Sequence, residues 1–368
     1  MKVLHLASSN RWTGAAAPAF AEVEALRAAG IDARYAYVGG YRLEQKLAEV
    51  DFALPLIRKR QSPSGLIDSV GALRRVVVEN RIDILHSHLT YDHFLGSLVK
   101  RGSRAALART FHSRRTLRRD PFTSALLSAT DGIGLINAEM ELPSERFRKK
   151  PHTWTPPPVD HRIFRPDGES VRASLQVPTE GKVIGIIGKL APNRGFEEAI
   201  LCLAAIHRLD PSVRLMIIGH ANGPHRPVIA ELAQSAGVGA SLIWAGYHEE
   251  DLADYYRACD AMIFTAPGSD EGHRAILEEM ACGVPPVSYP IKGVRQLIGD
   301  LSDRLVTSVH HPEAMAKAVL DVLGEPDRTS LQEGVSERSH QFGFETTARR
   351  LVDFYHEVLR RRRGSPSA

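Results

Sequence analysis

The densest chemistry in the chain lies in one stretch, Pro267-Gly-Ser-Asp-Glu-Gly-His-Arg-Ala-Ile-Leu-Glu-Glu-Met-Ala-Cys-Gly-Val-Pro-Pro-Val287. A predicted strand, Ala261–Phe264, runs into a glycine-containing loop and then into a helix. Free backbone N–H groups at such a helix start, aided by the helix dipole, attract an anion. Asp270, Glu271 and Glu278 in the same stretch cannot hold phosphate, but carboxylates accept hydrogen bonds from sugar hydroxyls. A ligand with both phosphates and hydroxyls, such as a nucleotide sugar, satisfies both halves. The bland alternative is that Arg274 and Glu278, four apart on one helical face, simply pair.

Other residues suit the same ligand. Lys189 and Arg194 stand five apart in the loop after the strand Val183–Ile187, where two cations suit a diphosphate or are idle surface charge. His112 ends the strand Ala106–Phe111, where a histidine either faces a cleft or caps a strand end. Gly14 follows the first strand, as any tight strand–helix turn requires. His86 and His88 point to one side of a strand end and would permit a metal pair. No further ligand stands at a suitable spacing, so neither metal nor cofactor is expected.

These residues need elements to hold them. Val3–Ala7, Ile31–Tyr37, Ile82–His86, Ala106–Phe111 and Ile133–Ile136 read as strands, separated by helices at Ala15–Ala29, Leu66–Asn80 and Asp92–Arg101. Such alternation gives a parallel sheet covered by helices on both faces. Pro151–Asp167, with Pro156, Pro157, Pro158 and Pro166, breaks the rhythm and reads as a linker. The alternation then restarts: strands at 183–187, 215–218, 242–244, 261–264 and 286–288, helices at 196–209, 227–236, 252–258 and 276–282, and a long final helix at 345–361. The expected fold is α/β, two doubly wound domains flanking a cleft, with ligands outside the carboxyl ends of the strands.

Composition agrees. The chain has 368 residues, 43% hydrophobic and 24% charged, enough for two domains and too apolar for a disordered protein. No apolar run approaches the ~18 residues of a membrane span. Met1–Leu6 reads as a strand rather than a secretory signal, and three scattered cysteines fit a reducing cytoplasm. An oxidoreductase is disfavoured because Leu4–Ala15 lacks Gly-x-Gly-x-x-Gly.

The net charge of +4 is unevenly spread. Residues 1–168 hold 26 Lys and Arg against 17 Asp and Glu, whereas residues 169–345 hold 15 against 24. Arg114, Arg115, Arg118 and Arg119 follow His112 at spacings that share a face if helical. Such a patch would favour a phosphate-bearing acceptor or peripheral contact with an anionic membrane at the inner face, at ~1 kcal/mol per basic residue. The alternative is a solvated arginine-rich loop. No nucleic-acid partner is expected.

Leu277-Glu-Glu-Met-Ala-Cys-Gly-Val-Pro285 resembles the donor motif of family-four retaining glycosyltransferases of the GT-B fold, the glycosyl transferases group 1. Gly185–Gly195 resembles the family's basic glycine-rich turn, with Lys189 where an Arg is usual and Arg194 where a Lys is usual. Val159, Asp160, Phe164 and Pro166 match its linker, Pro157 and Pro158 replacing Asn-Gly. Trp244-Ala-Gly-Tyr247 resembles the segment flanking the nucleobase, and Trp12-Thr-Gly-Ala-Ala16 the first glycine-rich loop. The family's first Glu falls on Asp270 in an ungapped register, with Glu271 as the alternative, and Gly272-His273 replaces an aromatic-plus-Gly pair.

The resemblance implies two Rossmann-like domains. Residues 1–165 would bind the acceptor, with helix 345–361 packing back on them. Residues 166–344 would bind a UDP- or GDP-linked sugar, and 362–368 would be a disordered tail. It implies His112, Asp270 and Glu271 as catalytic residues. Donor contacts would come from Gly14, Lys189, Arg194, Gly246, Tyr247, Gly272, His273, Arg274, Ala275, Ile276 and Glu278. The implied activity is metal-independent, retaining sugar transfer to a glycan or lipid-linked acceptor, in the manner of cell-envelope glycan synthesis. A non-catalytic sugar-nucleotide-binding protein is the alternative.

Overall fold

The computed structural model describes the chain apart from residues 13, 59–62, 179, 221–222, 267–271 and 365–368. Asp270 and Glu271 therefore lie outside the described residues. The chain divides into two compact units. The first comprises Met1–Pro158 with the chain from Phe342 onward, and the second most of 159–341.

The first unit is built on seven strands: β1 (Lys2–Ala7), β2 (Asp32–Val38), β3 (Ala53–Ile57), β4 (Ile84–Ser87), β5 (Ala106–Phe111), β6 (Gly132–Leu135) and β7 (His152–Trp154). All pair in parallel, in the order β3-β2-β1-β4-β5-β6-β7. Helices cover the faces of a parallel sheet, so its central strands are apolar almost throughout; β1 and β5 are nearly wholly buried. Chain order reverses between β1 and β4. Asp92 ties that junction: it accepts from the amides of Ser8 (2.7 Å), His88 (3.0 Å) and Leu89 (2.8 Å).

The last helix, Phe344–Gly364, packs against the helix Ala16–Ala28 and strands β5 to β7 of this unit. Leu351, Phe354, Tyr355 and Val358 are its buried face. The approach to β6 is close: a Cβ at Gly132 would lie 2.3 Å from Val358 Cγ2. The expected disordered tail begins too early, because this helix continues to Gly364. Arg361 donates to the carbonyl of Lys149 (2.6 Å) and Arg362 pairs with Asp131 (3.3 Å), which anchors the added turn.

The second unit holds β8 (Val183–Ile187), β9 (Arg214–Ile218), β10 (Leu242–Gly246), β11 (Ala261–Phe264) and β12 (Pro286–Ser288), parallel in the order β10-β9-β8-β11-β12. The proline-rich segment is no simple linker. Its start forms edge strand β7, while Val159 is buried and Phe164 packs near Tyr256 in the second unit, ring centroids 6.1 Å apart. The division falls at Pro158/Val159.

The four arginines after His112 do not share a helix. Arg114–Thr116 is a single 3-10 turn, and Asp120 then caps the separate helix Pro121–Ala129 by accepting from the Thr123 amide (2.9 Å). Arg115, Arg118 and Arg119 are exposed. No described helix is long and apolar enough to cross a membrane.

Candidate functional site

In the second unit chain order reverses at β8 and β11, the place where open parallel sheets bind ligands. The loops leaving the strands interlock there. The Gly188 amide donates to the Ile218 carbonyl (3.0 Å), and the Gly219 amide to the Gly246 carbonyl (2.6 Å). Gly219 has φ +156°, and a Cβ on it would sit 1.9 Å from the Gly188 oxygen, so only glycine closes this junction. Gly195, at φ +82°, opens the helix Phe196–His207, and its carbonyl accepts from Thr265 Oγ1 (2.8 Å) just beyond β11. The loop carrying Lys189 and Arg194 is thus fastened to the loop that leads into the helix Arg274–Ala281.

Lys189 is exposed and Arg194 half-buried. Among the described residues neither side chain makes an ion pair or hydrogen bond. Among the described residues, then, no salt bridge has to break before these two cations beside a glycine-rich turn meet an anionic ligand.

His273 starts the adjacent helix in the left-handed region, φ +49°. Its side chain turns inward: Nε2–H donates to the Lys292 carbonyl (2.9 Å), and the ring meets Phe264 edge-on. The side chain therefore braces the loop. Gly272 before it is buried, Ala275 half-buried and Ile276 fully buried. Arg274 Nε forms an ion pair with Glu278 Oε1 (3.2 Å), while the Tyr256 hydroxyl donates to Glu278 Oε2 (3.1 Å). The Arg274–Glu278 pair foreseen from spacing forms. Burial and the adjacent Glu278 push the carboxyl of Glu279 well above its usual range.

Gly246 ends β10 at φ +90°, and Tyr247 beyond it is half exposed. The His220 ring stacks on Tyr247, centroids 4.1 Å apart and 4° from parallel, and the phenol donates to Glu249 (3.0 Å). Burial and Glu249 raise the Tyr247 phenol, with nearby Arg274 opposing them. The second unit thus gathers Lys189, Arg194, Gly246, Tyr247, His273, Arg274, Ala275, Ile276 and Glu278 at one sheet end. Tyr256, His220 and Thr265 complete it. Sequence reading missed those three, which lie outside the motif segments.

Gly14 and His112 belong to the first unit. Gly14 lies in the turn between β1 and the helix Ala16–Ala28. His112 Nε2 meets His88 Nδ1 at 3.0 Å, and burial together with Arg109 pushes His112 down to about 3, so it is neutral. Among the described residues, metal-ligand types gather in one place, at His5, Glu22, His86 and His88. Sequence spacing exposed only the last two.

Residues 167–341 match the model of the family described as glycosyl transferases group 1. That match spans just under half of the chain, and over it the chain is similar to that family. The chain is 26% identical over 332 residues to a D-inositol 3-phosphate glycosyltransferase of Segniliparus rotundus, covering 83% of this chain and 73% of that one. A glycosyltransferase from Rickettsia africae superposes with a TM-score of 0.81 at 14% identity, covering 97% of this chain and 98% of its own. Anabaena HepE in complex with UDP and glucose gives 0.75 at 15% identity, covering 96% and 98%. At such identities the structures show the fold, which is GT-B. Together they make the protein an enzyme of the glycosyltransferase class.

Proposed function

We propose that the protein is a retaining glycosyltransferase that moves a sugar from a nucleoside-diphosphate donor, UDP- or GDP-linked, to a glycan or lipid-linked acceptor. The observation that carries this reading is the pair Lys189 and Arg194, without protein partners among the described residues, fastened through Gly195 and Thr265 to the loop before the helix Arg274–Ala281. A diphosphate placed there meets two cations and the positive end of the helix dipole. Glu278, 8% exposed, then accepts the ribose hydroxyls, and the exposed Tyr247–His220 stack lies beside the base. The UDP and glucose held by Anabaena HepE support this choice of ligand.

In this reading the leaving diphosphate is the electrostatic problem. Lys189, Arg194 and loop amides stabilise its charge in place of a metal. Asp270, with Glu271 as the alternative, and His112 are assigned to the sugar by the resemblance. The departing phosphate takes the acceptor proton, giving transfer on the same face. The first unit binds the acceptor. The exposed Arg115, Arg118 and Arg119 favour a phosphate-bearing acceptor or an anionic membrane surface, as in envelope glycan synthesis. Three buried, free cysteines support a cytoplasmic setting.

The test is incubation with a panel of nucleotide sugars, scored for release of the nucleoside diphosphate. Turnover of one donor without added divalent metal supports transfer. Tight binding with no turnover of any donor, with or without candidate acceptors, would instead support a sugar-nucleotide-binding protein.

A further inference from the structure

Four buried side chains in the first unit carry chemistry that sugar transfer does not use. His5 on β1 is the register partner of His86 on β4, and His88 follows two residues later. Glu22 comes from the helix Ala16–Ala28, which packs on β1 and β2. None of the four is more than 1% exposed. Glu22 Oε2 lies 3.6 Å from His5 Nδ1, 3.8 Å from His88 Nε2 and 4.0 Å from His86 Nδ1. Among the described residues that oxygen has no hydrogen-bond partner. A buried carboxyl oxygen with three imidazoles around it, at distances too long for hydrogen bonds, is a polar atom left without a partner among the described residues.

We propose that His5 Nδ1, His86 Nδ1, His88 Nε2 and Glu22 Oε2 form a structural site for a divalent transition metal of the zinc class. One ligand atom from each residue lies within 4.8 Å of the others. Around zinc, with bonds of about 2.0–2.1 Å, tetrahedral ligands stand about 3.3 Å apart. The separations to Glu22 shorten by a few tenths of an ångström to reach that figure. The 2.9 Å contact between His5 Nδ1 and His88 Nε2 opens by a similar amount, and His86 Nδ1 exchanges its 2.6 Å hydrogen bond with the Tyr355 hydroxyl for the metal.

The surroundings carry the inference further. A ligating histidine usually donates its other ring N–H to a fixed partner. Here each of the three has one. His5 Nε2 meets the Tyr355 hydroxyl at 3.0 Å, His86 Nε2 meets Thr110 Oγ1 at 2.8 Å, and His88 Nδ1 meets His112 Nε2 at 3.0 Å. The metal would pin the helix Phe344–Gly364 to the sheet through Tyr355. It would also set a tautomer: with His88 Nε2 on the metal, Nδ1–H donates to His112, which then carries its own proton on Nδ1. Four protein ligands leave no open position, so the role is structural and separate from the donor diphosphate.

The test is the metal content of the full-length, tag-free chain from cells grown with zinc, after brief treatment with a chelator that strips surface ions. The expected result is about one zinc per chain, released only on unfolding in guanidinium. Refolding with cobalt should give the visible absorption of a tetrahedral site, and the Glu22→Gln and His88→Asn chains should lose both signals. Less than a tenth of an equivalent in wild type, with no cobalt band after refolding, would overturn the site. Undiminished metal in folded Glu22→Gln and His88→Asn chains would also overturn it. Should the variants fail to fold, the wild-type stoichiometry and cobalt band decide alone.

Discussion

Replacing Lys189 and Arg194 by alanine, singly and together, separates a donor-binding role from idle surface charge. Neither side chain has a partner among the described residues, and Lys189 is exposed. Removing either should therefore change stability by no more than about 0.5 kcal/mol. In a domain of this size that is a shift of roughly 2 °C or less in melting temperature. A charge-assisted contact to phosphate contributes about 1.5–3 kcal/mol, so each loss should weaken binding of UDP or GDP roughly 10- to 150-fold. Both cations address one diphosphate, so the double variant should fall short of the product of the two effects. Isothermal titration with both nucleotides, at low and high salt, reads these numbers; the wild-type advantage should shrink as salt rises. Unchanged nucleotide affinity in both single variants, with melting temperatures intact, would refute the diphosphate role.

Further outcomes are expected elsewhere. Glu278→Gln should lower affinity for the free nucleotide, and Tyr256→Phe should do so more weakly, because the Tyr256 hydroxyl only orients that carboxylate at 3.1 Å. Asp270→Asn should spare free-nucleotide binding and harm turnover of the sugar-bearing donor; if Glu271→Gln does this instead, the register is off by one. His93, 2% exposed and bonded to Thr130 at 2.7 Å, is held well below its usual pKa by burial, then by Arg109 and Lys150. Its unfolded form takes up a proton first, so its stabilising contribution is present above pH 6.5 and falls by about 2 kcal/mol at pH 5. Denaturant titrations at pH 7.5 and 5 should show His93→Gln losing that much less than wild type; equal losses would exclude the effect. Co-sedimentation with anionic vesicles at low salt should be lost at high salt and on changing Arg114, Arg115, Arg118 and Arg119 to Ser; equal recovery in the supernatant would leave a solvated loop.

The two sheets were legible because their buried parallel strands are short unbroken runs of Val, Ile, Leu and Ala between helical periods, as in β1 and β8. Edge strands were not. β3 contains Pro55 and is only partly buried, and β7 has three residues inside a proline-rich stretch. The helix Arg328–Ser339 was missed because it buries only Leu331, Val335 and Ser339 along an otherwise polar sequence. Within the site, Lys189, Arg194 and Glu278 could be named because each sits in a contiguous motif. Tyr256 and His220 could not, since the hydrogen bond of one to Glu278 and the ring stacking of the other on Tyr247 join loops and helices distant in sequence. The same holds for His5 and Glu22: only the β1–β4 pairing, with its His5–His86 register, brings them to the histidines.

Sugar transfer itself is tested most directly by donor turnover. Wild type, the Lys189→Ala/Arg194→Ala double variant and Glu278→Gln would be incubated with UDP- and GDP-linked sugars without added divalent metal, and nucleoside diphosphate release followed. The expected result is slow hydrolysis of one donor by wild type, accelerated by a suitable acceptor and reduced at least tenfold in both variants, since each removed contact to the donor contributes about 1.5–3 kcal/mol. No turnover of any donor by wild type, or turnover that survives unchanged in the variants, would contradict it.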